Sequence, residues 1–355
     1  SSSTSQSPSC AIGDVENIVR ADLRSTDNNN NTNSNESISM LLHHITISGL
    51  GGVGGYYGAM LVQAARREGK GRQIAFLARG AHLEAIRSRG LHIHTPERDF
   101  TVEPDFVAED PHELPKSDLV ILATKSYDLE ANLRQLLPII TPETIILPLL
   151  NGADITDQVK RILPNNRVWD GCVYISGRKP EAGEILLEAE REIFIFGSRG
   201  ATRTEEEREL ADLLTSVGVK AINPDNIEDH IRKKYLMISA TATGTSYYNL
   251  TVGEALAQHP RGMRALIEEL CQLFTALGHD LGENAVERTI ERQTFMIPTS
   301  TSSMHVDFLA GGRTELENLT GYVVRTAHHL GLILPTYDRM YRALRDEPYP
   351  PHSRV

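Results

Sequence analysis

The stretch ITISGLGGVGGYYGAM, residues 45–60, has glycine at six of its sixteen positions. A β-branched run, ITIS, precedes the glycines, and small and apolar residues follow them. Glycine costs conformational entropy on folding, so such a cluster indicates a backbone that turns tightly or comes very close to another group. The pattern predicts a strand, a glycine-rich turn and a helix that packs closely on a sheet.

Three of these glycines, Gly49, Gly51 and Gly54, have the spacing G-x-G-x-x-G between the predicted strand and helix. In that context the first glycine permits the turn, the second lets a pyrophosphate approach, and the third lets helix and strand pack. The N–H groups at the start of the helix favour the anion. The alternative is a glycine-rich turn without a ligand, which this context disfavours. The predicted cofactor-binding residues of the turn are Gly49, Leu50, Gly51, Gly52, Val53 and Gly54.

Strand and helix patterns continue to alternate after this turn. Buried strands are predicted at QIAFLAR, SDLVILAT and ETIILPL, and a hairpin insertion at LHIHTPERDFTVEP. Such alternation is typical of a parallel α/β sheet. Beyond Asp225 the apolar residues follow helical spacing, as in MRALIEELCQLFTALG. We therefore predict an α/β protein with an N-terminal Rossmann-type dinucleotide-binding domain over residues 43–224 and an all-helical C-terminal domain over 225–347.

Composition limits the remaining possibilities. Residues 1–42 include the polar stretch STDNNNNTNSNES and are predicted to form a disordered tail. The net charge of −11 argues against non-specific nucleic-acid binding, and no apolar run is long enough to span a bilayer. Cys10, Cys172 and Cys271 are widely spaced, which suggests a reducing compartment, so we expect a cytoplasmic protein. The histidines are scattered, and no metal is predicted.

The end of the second predicted strand indicates which dinucleotide binds. A site that prefers NAD usually has an acidic residue there, but this strand, QIAFLAR, ends in Arg79. An arginine can pair with a 2′-phosphate, which a carboxylate would repel. We therefore predict NADP(H), the alternative being that Arg79 is an ordinary surface charge.

A series of motifs in one order resembles the ketopantoate reductase (PanE/ApbA) family over roughly residues 44–345. These motifs are GLGGVGGYYGA, ARG, ATKSYD, LNG, VYISG, KKYL and TSSMHVDFLAGGRTE. The resemblance implies reduction of a 2-oxo acid to a 2-hydroxy acid by NADPH, with ketopantoate giving (R)-pantoate in pantothenate biosynthesis as the default. It also implies a C-terminal domain like that of 6-phosphogluconate dehydrogenase and an active site in the cleft between the domains.

Two catalytic residues are implied by the resemblance. Lys234 matches the family's catalytic lysine, which would protonate the forming alkoxide. The neighbouring Lys233 would point about 100° away on a helix, so only one of the two can face the site. Glu315 matches the glutamate that orients the substrate hydroxyl. Thr314 and Glu317 predict a capping box, which would hold Glu315 in a first helical turn.

The resemblance also implies contacts to cofactor and substrate. Lys125 and Asn151 each follow a buried strand and would lie near the nicotinamide, its ribose and the substrate, and Ser303 would bond the substrate carboxylate. The chain departs from the family where substrate-binding asparagines are expected, since Ile238 and Ala242 occupy those positions. An apolar pocket cannot bond a substrate hydroxyl as an amide does, so these residues support the hydride transfer without specifying one substrate.

The sequence is therefore compatible with three functions. The first is reduction of ketopantoate, and the second is reduction of another ketone or an imine, such as an opine-type adduct. The third is a regulator that binds NADP without catalysis, against which the presence of both Lys234 and Glu315 argues. The partners expected are a small-molecule 2-oxo acid and, through the apolar faces of the C-terminal helices, a second copy in a homodimer.

Overall fold

The computed structural model describes residues 15–23, 40–189, 192–200 and 202–352. Its strands are, in chain order, β1 (His44–Ser48), β2 (Gln73–Leu77), β3 (Leu91–His94), β4 (Asp99–Val102), β5 (Phe106–Ala108), β6 (Leu119–Leu122), β7 (Ile145–Pro148), β8 (Asp170–Tyr174), β9 (Gly177–Arg178), β10 (Glu184–Leu187), β11 (Ile193–Gly197) and β12 (Ala221–Ile222). Its α-helices are α1 (Val15–Leu23), α2 (Gly52–Glu68), α3 (Gly80–Arg89), α4 (Leu129–Leu136), α5 (Ile155–Ile162), α6 (Glu205–Ser216), α7 (Ile227–Tyr248), α8 (Val252–Gln258), α9 (Pro260–Ala276), α10 (Ala285–Thr294), α11 (Ser303–Leu309), α12 (Tyr322–His329) and α13 (Pro335–Asp346).

The chain divides into two compact units. The N-terminal unit comprises the described residues of 19–231, and the C-terminal unit comprises those of 232–355 together with residues 15–18. The division falls inside α7, whereas the predicted domain boundary at 224 lies before that helix begins. None of the helices in the described residues has the length and apolar character that a membrane span requires.

The N-terminal unit contains a parallel sheet with the strand order β5-β2-β1-β6-β7, which is the Rossmann arrangement. Alternate residues of β6 enter two different cores. Leu119 and Ile121 pack in the core that includes α2, and Val120 and Leu122 pack in the core that includes α4 and α5. Because both faces of the sheet are covered, its strands read as continuous apolar runs. The predicted fold class is confirmed.

Two smaller sheets complete this unit. The predicted hairpin forms as β3 and β4, which pair antiparallel, and β3 also pairs with β10 in a sheet of order β4-β3-β10-β9. The third sheet has the order β12-β11-β8. The first of these sheets packs against α2, where a Cβ on Gly55 would lie 2.6 Å from the Ile185 side chain.

The C-terminal unit is helical, and residues 226–352 contain no strand. Helix α9 buries the apolar stripe that its spacing predicted. The buried members are Met263, Leu266, Ile267, Leu270, Leu273 and Phe274. Leu277, which the same spacing included, follows the helix and is exposed instead.

The prediction of a disordered tail over residues 1–42 is wrong for α1. Val15, Ile18 and Val19 follow helical spacing and are buried, which gives this short helix an apolar face despite its polar surroundings. The predicted disorder of residues 1–14 and 24–39 lies outside the described residues.

Candidate functional site

The glycine turn between β1 and α2 has the geometry that its spacing predicts. Gly49 has φ +92°, and a Cβ there would lie 2.6 Å from the backbone carbon of Ala123. A Cβ on Gly54 would lie 1.8 Å from the carbonyl oxygen of Gly49, so only glycine lets the helix approach the turn. At Gly51 a Cβ would meet nothing within 4 Å, which leaves open space beside the backbone. The first and third glycines therefore serve packing, and the second faces a space that a ligand can enter.

The start of α2 suits an anion. Gly51 is the N-cap residue, and no side chain caps the helix. The first N–H groups of a helix have no partner within it, and together with the helix dipole they attract a phosphate. The residues present therefore fit the pyrophosphate of a dinucleotide.

His82 of α3 fixes the glycine turn, a role that sequence analysis missed. Its buried ring is 2.9 Å from the Leu50 carbonyl through Nε2, and its Nδ1 accepts from the Gly183 N–H at 2.9 Å. Since Nδ1 accepts, Nε2 carries the proton and donates to Leu50. Burial and the positive charge of Lys179 lower the pKa of His82, although its bond to Leu50 acts in the opposite direction. The neutral ring therefore ties the turn to the residue before β10.

Parallel strands bring three further predicted residues to the edge of the sheet that carries the glycine turn. Arg79 follows β2, Lys125 follows β6 and Asn151 follows β7. Backbone bonds continue the strand ladders into these loops, since the Ala123 N–H donates to Ser48 at 2.8 Å and Leu149 to Leu122 at 2.8 Å. The carboxyl edge of a parallel sheet is where α/β proteins bind ligands.

Arg79 differs from the other two because its side chain is exposed at the N-cap of α3. Its guanidinium forms neither an ion pair nor a hydrogen bond with any residue in the part of the chain that the structure describes. Lys125 and Asn151 are half-buried, and both have interactions within the protein. Arg79 thus offers donors for an anion.

The predicted catalytic lysine lies in α7 of the C-terminal unit. Lys234 is buried, whereas its neighbour Lys233 is half-buried. Ile238 and Ala242 follow at one and two helical turns and therefore lie on the same face as Lys234. Ala242 is buried and Ile238 is half-buried, so this face carries apolar side chains beyond the lysine.

Glu315 is buried and lies two residues before a wide, π-helical turn at Glu317–Gly321. Its carbonyl accepts from the Leu319 N–H at 2.9 Å. The predicted capping box is wrong, because the Thr314 hydroxyl accepts from Leu316 at 3.3 Å. The Glu317 carboxylate accepts instead from the hydroxyl of Tyr341 at 2.8 Å. Turns of this kind are frequent at functional sites.

Helix α7 holds the π-helical turn through side chains. The Tyr235 hydroxyl donates to the carbonyls of Asn318 and Leu319 at 3.0 and 3.2 Å, and the Ser239 hydroxyl donates to Leu319 at 2.5 Å. The hydroxyls of Thr243 and Thr320 are 2.7 Å apart. The helix that carries Lys234 thus fixes the segment that follows Glu315.

Ser303 is the first residue of α11 and is exposed. The preceding Ser302 caps the helix by accepting from the His305 N–H at 3.1 Å. The Thr245 hydroxyl lies 2.8 Å from the Ser302 hydroxyl. The structure therefore brings Lys234, Glu315 and Ser303 into the C-terminal unit, and the glycine turn, Arg79, Lys125 and Asn151 into the N-terminal unit.

Comparison with known proteins gives matches along both units. Residues 45–199 match the family described as ketopantoate reductase PanE/ApbA, and residues 226–347 match its C-terminal description. An uncharacterized oxidoreductase of Bacillus subtilis, YkpB, is 30% identical over 301 residues, which cover 84% of this chain and 97% of that protein. A 2-dehydropantoate 2-reductase of Nostoc is 25% identical over 84% of this chain and 93% of its own. The crystal structure of 2-dehydropantoate 2-reductase from Porphyromonas gingivalis has a TM-score of 0.76 and 43% identity, and the match covers 85% of this chain and 98% of that one.

Proposed function

Because the chain belongs to the ketopantoate reductase (PanE/ApbA) family, we propose that it reduces 2-dehydropantoate to (R)-pantoate with NADPH. Members of this family are oxidoreductases that act on a small molecule with a nicotinamide dinucleotide. The observation that carries the proposal is the glycine turn, where Gly51 leaves open space beside the uncapped start of α2. We also expect the protein to act in the cytoplasm, as a homodimer.

The choice of NADPH rests on Arg79. Its exposed guanidinium follows β2 and has no acidic partner among the described residues. A 2′-phosphate at this position would receive charge-assisted hydrogen bonds, which are about twice as strong as neutral ones. The same side chain offers little to the neutral 2′-hydroxyl of NADH.

The proposed chemistry uses the C-terminal unit for proton transfer. The chemistry that a bound nicotinamide would supply is a hydride for the carbonyl carbon, which would leave negative charge on the carbonyl oxygen. Lys234 would donate a proton to that oxygen, and Glu315 would accept a hydrogen bond from the substrate hydroxyl and orient it. Ser303 would donate to the substrate carboxylate, and Lys125 and Asn151 would bind the ribose and the reacting end of the substrate.

A second substrate class is supported by the apolar face of α7. Ile238 and Ala242 cannot donate or accept a side-chain hydrogen bond, and the Thr241 hydroxyl already donates to Met237 at 2.7 Å. A pocket without these polar groups discriminates weakly against substrates that lack a hydroxyl. Another ketone or an imine is therefore the alternative, and a regulator that binds NADP without catalysis is the third function.

Steady-state oxidation of NADPH tests the proposal. The assay compares ketopantoate with pyruvate, 2-oxoisovalerate and benzoylformate at equal concentrations, and NADPH binding is measured separately by its fluorescence. A strong preference for ketopantoate supports the proposal. Preference for a less polar oxo acid supports the second substrate class. Binding of NADPH without turnover of any of the four oxo acids argues against ketopantoate and points to an imine substrate or to the regulator.

A further inference from the structure

The hairpin β3–β4 carries a cluster of metal-ligating side chains away from the glycine turn. His92 and His94 alternate along β3, and residues two apart in a strand lie on the same face. Asp99 of β4 is paired directly with His94, so its carboxylate lies on that face too. One ligating atom from each of these three side chains lies within 4.8 Å of the other two.

A fourth side chain reaches the cluster from the other neighbour of β3. The ring of His94 is 3.2 Å from the Asp99 carboxylate through Nδ1 and 3.6 Å from the Glu184 carboxylate through Nε2. Glu184 lies in β10, where it is paired with His92. Three adjacent strands therefore surround the imidazoles with two carboxylates, which give the face a negative charge.

Backbone and side-chain contacts fix this arrangement. The Thr95 N–H donates to the Arg98 carbonyl at 2.9 Å, which closes the turn of the hairpin and sets the register of His94 with Asp99. Nδ1 of His92 is 2.7 Å from the Thr101 hydroxyl. A hydrogen bond on one ring nitrogen orients a histidine that ligates a metal through the other.

We propose that His92, His94 and Asp99 bind a divalent transition metal ion of the zinc type, with Glu184 as a fourth ligand. Two imidazoles with carboxylates suit Zn²⁺, Ni²⁺ or Cu²⁺, whereas Mg²⁺ and Ca²⁺ prefer oxygen ligands alone. Zn²⁺ holds its nitrogen and oxygen ligands at about 2.0–2.2 Å. The ligand atoms must therefore move closer to one another than they are in the structure. The side chains can rotate to do so, since 31% of His94 and 59% of Asp99 is exposed.

Sequence analysis missed this site because the histidines of the chain appear scattered. Asp99 joins the pair only through the hairpin register, and Glu184 only through the pairing of β3 with the distant β10. The alternation in LHIH was the available signal, since it places both rings on one face of a predicted strand. The bound ion would link three strands whose opposite face packs on α2, so it should raise the temperature of thermal unfolding.

The test uses the full chain without a histidine tag, stripped with a chelator and then titrated with ZnCl₂ in a calorimeter. We expect one ion per chain and at least about tenfold weaker affinity in His92→Gln and in His94→Gln. His112→Gln is the matched control, because His112 is 2.8 Å from the single carboxylate of Asp110. That variant should bind Zn²⁺ like the wild type.

Cobalt gives a second readout. Co²⁺ bound by these residues should absorb in the visible range without the strong near-ultraviolet band of thiolate ligation, which separates this site from the three cysteines. Asp99→Asn changes an exposed side chain and should also weaken Co²⁺ binding. This variant replaces the histidine variants in the test if either of them fails to fold. No saturable binding by the wild type, a thiolate band, or equal affinity in the histidine variants and His112→Gln would overturn the proposal.

Discussion

Lys234 is the residue on which the proposed proton transfer depends. Replacing it with alanine removes the proton donor, and general acid catalysis contributes about 10²–10⁴-fold to a rate. We expect Lys234→Ala to lower kcat by about that factor while NADPH binding, followed by fluorescence, changes little. The control is Lys233→Ala, because its side chain lies about 100° away around α7. Equal losses of kcat in the two variants would remove Lys234 from the mechanism.

Arg79 is the residue that should select the cofactor. A hydrogen bond to a charged group contributes about 1.5–3 kcal/mol, so its loss should raise KM for NADPH about 10- to 100-fold. We expect Arg79→Ala to leave KM for NADH almost unchanged, because NADH has no 2′-phosphate.

Arg87→Ala controls for the loss of one positive charge from α3. Arg87 lies near the end of that helix and pairs with Glu84 at 3.4 Å. This variant should retain the preference of the wild type for NADPH. If KM for both cofactors rises equally in Arg79→Ala, Arg79 does not bind the 2′-phosphate that distinguishes NADPH from NADH.

At the scale of elements, the π-helical turn is positioned by α7. Ser239→Ala removes one of two side-chain donors to the Leu319 carbonyl, which keeps its bond from Tyr235. A hydrogen bond of this kind contributes about 0.5–1.5 kcal/mol to stability. We expect lower stability by about that amount. We also expect a lower kcat, because the segment after Glu315 loses a contact, with an unchanged KM for NADPH.

A matched variant separates these two effects. Thr289→Val removes a buried hydroxyl that donates to the Ala285 carbonyl at 2.7 Å within α10, away from the turn. It should lower stability without lowering kcat. A normal kcat in Ser239→Ala would show that the contact has only a structural role.

For single elements, the backbone conformation of the glycine turn was predictable from the sequence. Hydrogen bonds between residues far apart in the sequence were not. The roles of Gly49 and Gly54 follow from spacing, because the turn itself imposes φ and close approach. The contacts of His82 with Gly183 and of Tyr235 with Asn318 need the tertiary fold. The prediction of the capping box was wrong for the same reason, since the Glu317 carboxylate accepts a hydrogen bond from the hydroxyl of Tyr341 instead.

At the scale of the whole molecule, the alternation of apolar strands and helices predicted the fold class. It could not predict that β3 pairs with β10, because each strand alone has the same alternating pattern whichever partner it meets. The short helix α1 was missed because its apolar stripe is too short to stand out within a polar segment. Lys234, Glu315 and Ser303 were predicted from the resemblance of their motifs to a known family. Composition and periodicity alone do not identify these residues.

The pH dependence of stability is a property of the whole fold that one buried carboxyl should control. Glu192 accepts from the Tyr57 hydroxyl at 2.6 Å, but burial outweighs this bond and raises its pKa from 4.5 to about 7. Between these values the folded state binds more protons than the unfolded state, so stability falls as pH rises. The loss is complete above about pH 7 and amounts to about 3 kcal/mol.

Glu192→Gln keeps the shape of the protonated side chain and removes its titration. Subtracting the free energy of unfolding of this variant from that of the wild type cancels the other titrating groups. That difference should fall by about 3 kcal/mol between pH 4.5 and pH 8. Urea unfolding can be followed by the fluorescence of Trp169, the only tryptophan of the chain, which is buried in the same unit. Glu188→Gln, which removes a carboxylate 2.9 Å from Arg178, should show no such fall. A constant difference for Glu192→Gln would mean that the buried carboxyl ionises as readily in the folded protein as in the unfolded chain.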